Sequence, residues 1–175
     1  NTSSCGKCLM ELYEWGWIKK IPRIAVINAE GANTLDVLYN GKFENTELRW
    51  NKGNPDTKLI EDYYVKMNKD HIRPKTKATA IQIGKPVNLL KGIRALEFTD
   101  GVVTTVTDKE MLDGMSIVGL NGFDCEMASG AVPAGIKKLL NDNIMKKDDK
   151  IIGILTGRQK EPLLPINYHN DPTNK

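Results

Sequence analysis

Apolar residues recur along the chain at two spacings, and these predict helices that alternate with short strands. Helical spacing is present at about residues 5–17, where Leu9 and Leu12 share an apolar face. Ser3 or Ser4 is the expected N-cap of this helix. The same spacing predicts further helices at about residues 57–67, 88–98, 107–120 and 127–140. Thr107 and Glu110 have the spacing of a capping box at the start of the helix at 107–120.

Three short apolar runs have the composition of strands that are buried on both faces. They are Ile24–Ile27, Val102–Val106 and Lys150–Gly157. Because these runs alternate with helices, we predict an α/β fold with a mostly parallel sheet flanked by helices. Ligands bind at the carboxyl ends of strands in such sheets, so the turns after the three runs are candidate positions for a site.

Two segments do not fit this alternation. Residues 36–76 are polar and irregular apart from the helix near 57–67, and we interpret them as an insertion or surface excursion. Residues 162–175 are predicted to be a coil tail. The chain opens on the polar residues Asn1–Ser4 without an initiator Met, so residues 1–175 are expected to be one fragment of a larger protein.

The composition excludes several classes of protein. The chain is 40% hydrophobic and 27% charged, which is enough to bury a core. Its net charge of +3 comes from dispersed lysines, so no nucleic-acid partner is predicted. No apolar run approaches the ~20 residues of a membrane span, and no signal peptide is visible. An odd count of cysteines favours a reducing, cytoplasmic location.

The residues that could ligate a metal do not form a group. Cys5 and Cys8 have the spacing of half a zinc site, but Cys125, His71 and His169 are each isolated in the sequence. Both histidines also lack an acid–base partner and are expected to be exposed. We therefore predict no metal site.

Three positions could contact a ligand, and each has a purely structural alternative. Asn1–Ser4 lead into a helix, so they either bind phosphate or simply cap the helix. Ser129 and Gly130 at another helix start allow either close approach of a ligand or close packing against the sheet. The Thr156 hydroxyl, after a strand, could bond a ring nitrogen or pack at the strand end.

Four motifs occur in a specific order along the chain: IPRIAVINAEGAN at 21–33, ATAIQIGKP at 78–86, NGFDCEMASGAVPAG at 121–135 and KIIGILTGRQKEP at 150–162. Together they resemble the second half of the threonine synthase family. The resemblance covers most of the chain outside about 36–75 and the tail. It implies the tryptophan-synthase-β-like fold of pyridoxal-phosphate enzymes.

The resemblance also implies roles for individual residues around pyridoxal 5'-phosphate. Asn1 and Thr2 match the end of the loop that binds the cofactor phosphate. Ala80 matches the residue that packs on the pyridine ring, and Thr156 matches the hydroxyl that bonds the ring nitrogen. Two further positions near the cofactor crevice are matched by Glu126 and Ser129.

The implied reaction converts O-phosphohomoserine and water to threonine and phosphate. The lysine that holds the cofactor covalently lies in the first half of the family, and no lysine here has its sequence context. No catalytic residue is therefore assigned to this chain. Its expected partners are the missing N-terminal half of the same enzyme and, in the intact enzyme, a second copy in a homodimer.

Two departures from the family pattern keep the substrate open. The segment after Thr156 is a residue shorter and more basic than in relatives, and Met127 stands where proline is usual. The alternatives are a paralogous lyase, such as a dehydratase or a cysteine- or cysteate-forming enzyme, and a non-catalytic binding or assembly module.

Overall fold

The computed structural model describes residues 1–50, 53 and 55–158. Its helices are α1 (Thr2–Glu14), α2 (Thr34–Tyr39), α3 (Thr57–Lys69), α4 (Leu89–Phe98), α5 (Asp108–Leu120) and α6 (Met127–Asn141). Its strands are β1 (Ala25–Ala29) and β2 (Val102–Val106), and a 3₁₀ turn spans Thr79–Ile81. The predicted mixed α/β class is confirmed, and the helix predictions agree closely with α3, α4, α5 and α6.

The two strands form a parallel sheet with helices on both faces. Ala25 pairs with Val102, and the register continues to Ala29 opposite Val106. Side chains alternate between the faces, so Val26 joins the apolar cluster on one side while Ile27 joins the cluster on the other. This three-layer arrangement explains why both runs read as continuously apolar.

The larger of these clusters contains much of the segment that the sequence suggested was an insertion. Leu38 and Leu48 are fully buried, and Tyr63 of α3 is 7% exposed. They pack with Ile93 and Leu96 of α4. Some apolar side chains of residues 36–76 therefore form part of the core, and an insertion at these residues remains a prediction.

Two glycine contacts bring helices unusually close together. A Cβ atom on Gly114 of α5 would overlap the carbonyl oxygen of Gly130 in α6, and a Cβ on Gly130 would overlap the carbonyl oxygen of Met111. On the other side of the sheet, Gly6 of α1 lies against Ala95 of α4 in the same way. Backbones can approach this closely only where the side chain is absent.

Side chains cover the carbonyl groups on the outer edge of β2. Residues 102, 104 and 106 direct their backbone groups towards β1, so Val103 and Thr105 direct theirs away. The Asn40 amide donates to the Val103 carbonyl at 3.0 Å, and the Lys138 ammonium donates to the Thr105 carbonyl at 2.7 Å.

A buried carboxylate organises the turn after α2. Asp36 is 1% exposed, and its oxygens accept hydrogen bonds from Asn40 at 2.8 Å and Lys42 at 2.6 Å. Its backbone N–H donates to the Asn28 side chain at 3.2 Å. The network connects the carboxyl end of β1 to α2 and satisfies a charge that would otherwise be costly to bury.

The predicted N-cap is confirmed for α5 and wrong for α1. Thr107 and Glu110 form the predicted capping box at the start of α5, with the Thr107 N–H donating to the Glu110 carboxylate at 2.7 Å. The first helix begins earlier than expected, at Thr2, so its N-cap is Asn1 and not Ser3 or Ser4. It ends at Glu14, about three residues before the predicted end at residue 17, and Gly16 follows with a left-handed φ of +73°.

The third predicted strand, Lys150–Gly157, is wrong. Residues 151–158 form no strand, and Ile152 is 90% exposed. An extended segment becomes a strand only when a neighbouring strand supplies hydrogen-bonding partners. Here the segment instead packs along α6, where a Cβ on Gly153 would lie 2.8 Å from Val132. The predicted coil tail at 162–175 lies outside the described residues.

None of the helices within the described ranges has the length and apolar character needed to cross a membrane.

Candidate functional site

The end of the apolar segment at Thr156 is fastened to the start of α6. The Ser129 hydroxyl accepts hydrogen bonds from the Thr156 N–H at 3.1 Å and the Gly157 N–H at 3.2 Å. The same hydroxyl donates to the Gly157 carbonyl at 3.3 Å. Two consecutive peptide groups are thus fixed by one side chain that is itself 1% exposed.

Glu126, the N-cap residue of α6, reinforces this attachment. Its backbone N–H donates to the Gly157 carbonyl at 3.0 Å. A Cβ on Gly157 would overlap the Glu126 carboxylate, so the absence of a side chain allows the two segments to meet. The half-buried Glu126 carboxylate therefore lies directly beside the residue that follows Thr156.

Thr156 itself remains accessible. Thr156 is an exposed residue, and the peptide groups on either side of its Cα atom are bonded to the Ser129 hydroxyl. A hydroxyl in this position can donate one hydrogen bond and accept two. The predicted strand is absent, yet its last residues still present the threonine hydroxyl from a fixed backbone.

The 3₁₀ turn at Thr79–Ile81 also packs near α6. Ala78 and Ile81, on either side of Ala80, belong to the same apolar cluster as Met127 and Ala128 in the first turn of α6. Ala80 is exposed. The turn therefore presents a small apolar side chain to solvent from a backbone anchored by its neighbours.

Asn1 and Thr2 lie on a different element. Asn1 is exposed and caps α1, and its carbonyl accepts from the Cys5 N–H at 2.9 Å. The Asn1 side chain makes no capping hydrogen bond. No hydrogen bond in the described part of the chain connects Asn1 or Thr2 with Ser129, whereas Ser129, Glu126 and Thr156 are brought together.

The cysteines and histidines that could ligate a metal lie in different environments. Across residues 1–50, 53 and 55–158, no three His, Cys, Asp or Glu side chains converge on a metal-sized site. Cys8 is exposed, whereas Cys125 is 3% exposed, and burial raises the pKa of the Cys125 thiol. His71 is exposed, as predicted, and His169 lies outside the described residues.

Two features of this site were not found from the sequence. Ser129 was expected to lie near a ligand, but its three hydrogen bonds to residues 156–157 were not anticipated. The contact between Gly157 and Glu126 was also missed. The available signal was the glycine directly after Thr156, because a glycine at the end of an apolar run often marks a close backbone approach.

Comparison with known proteins identifies several threonine synthases as relatives. Threonine synthase from Methanocaldococcus jannaschii is 31% identical over 177 residues, which cover 98% of this chain and 38% of that protein. Threonine synthase from Methanosarcina acetivorans is 37% identical over 57% of this chain and 25% of its own length. Chloroplastic threonine synthase 2 from Arabidopsis thaliana is 26% identical over 90% of this chain and 27% of its own length.

No protein-family model matches the sequence. The chain spans well under half the length of each of these three relatives, with 38% the largest share. The alignments to the first and third nevertheless include nearly all of this chain, and so they include the segments that form the site at α6. The chain is homologous to the threonine synthases over most of its length.

Proposed function

We propose that this chain is the C-terminal part of a pyridoxal-phosphate-dependent threonine synthase, which forms threonine and phosphate from O-phosphohomoserine and water. Homology supports the family, and the observation that carries the proposal is the exposed Thr156, whose backbone is bonded to the start of α6. The small parallel sheet with helices on both faces agrees with part of a tryptophan-synthase-β-like fold.

The residues present are suited to a planar aromatic cofactor. When bound, pyridoxal phosphate supplies an electron sink for chemistry at the amino-acid carbons. Thr156 would hold the ring nitrogen through its hydroxyl, and Ala80 would pack on one face of the ring. A neutral hydroxyl leaves that nitrogen largely unprotonated, whereas a carboxylate would favour the protonated form.

The other residues proposed to lie near the cofactor are at the N-termini of α1 and α6. Asn1 and Thr2 precede free backbone N–H groups in the first turn of α1, which is suitable for a phosphate group. Glu126 is proposed to line the cofactor crevice because its carboxylate lies beside Gly157. Ser129 belongs to the same end of α6, but its hydroxyl is bonded to Thr156 and Gly157, so it supports the crevice and does not line it.

The covalent cofactor lysine is assigned to the N-terminal half of the enzyme, which is the proposed partner of this chain. Several large apolar side chains are exposed and could be covered by that half, by a second copy in a homodimer, or by both. They include Trp17 (76% exposed), Leu120 (88%) and Ile152 (90%). A cytoplasmic location remains part of the proposal.

The decisive assay uses the intact protein that contains this chain. It should release threonine and phosphate from O-phosphohomoserine, with much lower activity on serine, threonine or O-acetylserine. Preference for one of the other substrates would assign the protein to a paralogous lyase instead. Absence of cofactor binding would favour a non-catalytic module.

A matched pair of variants tests the role of Thr156 in the same protein. Thr156→Val removes the hydroxyl at nearly constant volume, and kcat/KM should fall about 10- to 100-fold, the range for a lost hydrogen bond to a polar ligand group. Thr156→Ser keeps the hydroxyl and should retain most of the activity. Equal activities of the two variants would contradict the assignment.

The isolated chain gives a separate test. Incubation with pyridoxal phosphate and borohydride should give no stoichiometric adduct at a unique lysine. A single modified lysine would show that this chain supplies the covalent attachment itself.

A further inference from the structure

The Ser129 hydroxyl uses its whole hydrogen-bonding capacity within the protein. A serine hydroxyl donates one hydrogen bond and accepts two. Ser129 donates to the Gly157 carbonyl and accepts from the N–H groups of Thr156 and Gly157. All three partners are backbone groups that lie 27 or 28 residues away in the sequence.

We infer that Ser129 is a positioning residue that fixes the backbone at Thr156, and that it does not bind the cofactor directly. The cofactor is part of the proposed function above, whereas the attachment of residues 156–157 to α6 is independent of it. A cofactor atom could bond Ser129 only by displacing a backbone partner. Ser129 as a whole is also only 1% exposed, so a cofactor cannot reach its side chain without moving its neighbours.

The position of Ser129 within α6 supports this role. It is the third helical residue after the N-cap Glu126, where a short polar side chain commonly turns back to the N-cap backbone. Here the side chain makes no such local bond and reaches to Gly157 instead. The Glu126 N–H meets the same Gly157 carbonyl, so two groups of α6 hold one peptide.

Fixing this peptide sets the direction of the Thr156 side chain. The Thr156 N–H and the Gly157 N–H lie on either side of the Thr156 Cα, and both are held by one oxygen. Rotation of either peptide would break a hydrogen bond to Ser129. The Cα–Cβ bond of Thr156 is therefore held in a defined direction, which limits the positions that its hydroxyl can reach, as a site for a planar ring requires.

Hydrogen exchange of the chain without cofactor tests the attachment. In Ser129→Ala the Thr156 and Gly157 amides should exchange about 10-fold faster by NMR, because each loses its acceptor. Ser116→Ala is the matched control, since that hydroxyl bonds only the Leu112 carbonyl in α5. It should leave both amides unchanged.

Two results would overturn the inference. One is unchanged exchange at residues 156 and 157 in Ser129→Ala. The other is an equal acceleration throughout α5 and α6, which would show a general loss of stability. The wild-type chain provides a measurement that needs no variant: Thr156 and Gly157 should exchange more slowly than the amides of Ile152 and Leu155, and equal rates would refute the attachment.

A double-mutant cycle in the intact protein tests whether Ser129 acts only through Thr156. Ser129→Ala should weaken pyridoxal-phosphate binding in the wild-type background, by up to about 10-fold. In the Thr156→Val background it should leave the affinity unchanged, because no hydroxyl remains to be positioned. Additive losses would instead make Ser129 a direct ligand.

The two kinds of failure are distinguishable. If the exchange experiment succeeds and the intact protein binds no pyridoxal phosphate, the attachment stands and the proposed function fails. If the enzyme is active and the exchange rates are unaffected by Ser129→Ala, the proposed function stands and the positioning role fails.

Discussion

The contact between α5 and α6 predicts that one substitution has opposite effects at two positions of the same helix. Gly114 faces α6, and a methyl group there would overlap the Gly130 carbonyl oxygen and lie 3.1 Å from Pro133. Gly119, five residues later in α5, is exposed, and a methyl group there meets no atom within 4 Å. Gly114→Ala and Gly119→Ala are therefore a matched pair.

The expected magnitudes follow from two competing effects. Alanine is favoured over glycine within a helix by about 0.8–1.0 kcal/mol, and by less near the helix end. At Gly119 only this difference in helix propensity applies, so we expect Gly119→Ala to raise the free energy of unfolding by about 0.5 kcal/mol. At Gly114 the overlap is with backbone that cannot rotate away, so a cost of about 3 kcal/mol applies. The net result is destabilisation by about 2 kcal/mol.

Urea unfolding followed by circular dichroism measures both changes. The two variants should differ by about 2.5 kcal/mol in free energy of unfolding, or by roughly 5–10 °C in Tm. Their m values should equal that of the wild type, which would show that the unfolding reaction is the same. The reasoning is refuted if Gly114→Ala is as stable as the wild type, or if Gly119→Ala is the less stable of the two.

Three further predictions concern charge and burial. Asp36→Ala should lower the free energy of unfolding by about 2–3 kcal/mol in urea titrations, because the buried network loses its charged acceptor. The hydrogen bond from the Thr107 N–H holds the pKa of the Glu110 carboxyl below its usual range. The ionised carboxylate therefore stabilises the fold at pH values above the pKa of an unfolded glutamate, and this stabilisation is lost as the pH falls through the lowered pKa. Glu110→Gln should therefore cost about 0.5 kcal/mol at neutral pH and nothing in acid, as measured by unfolding at several pH values. In the folded chain iodoacetamide should modify Cys8 readily and Cys125 only after unfolding, and mass spectrometry of the peptides would reveal equal modification if the burial of Cys125 were wrong.

The helices were predictable because their signals are local. Apolar spacing located α3 to α6 within a few residues, and the capping box at Thr107 could be read from two side chains three positions apart. The N-cap of α1 was misplaced because Asn1, Thr2, Ser3 and Ser4 are all plausible caps. Neighbouring candidates with similar preferences cannot be separated without the backbone conformation.

The errors arose where the outcome depends on distant parts of the chain. Residues 150–157 have a strand's composition, but among the described residues no strand lies beside them. The end of this segment is held instead by Ser129. Because residues 36–76 are mostly polar, the complete burial of Leu38 and Leu48 was not predicted. At the site, the resemblance identified Ser129 and Thr156 as neighbours of a ligand, but only the structure revealed that one holds the other.

The covered edge of β2 has a consequence for how this sheet can grow. A strand added beside Val103 and Thr105 would have to displace the Asn40 amide and the Lys138 ammonium, and a hydrogen bond from a charged group contributes about 1.5–3 kcal/mol. At the opposite edge of the sheet, the backbone groups of Ala25 and Ile27 in β1 point away from β2. Among the described residues, side chains therefore cover the β2 edge of the sheet and not the β1 edge, and a third strand joins the sheet most favourably next to β1.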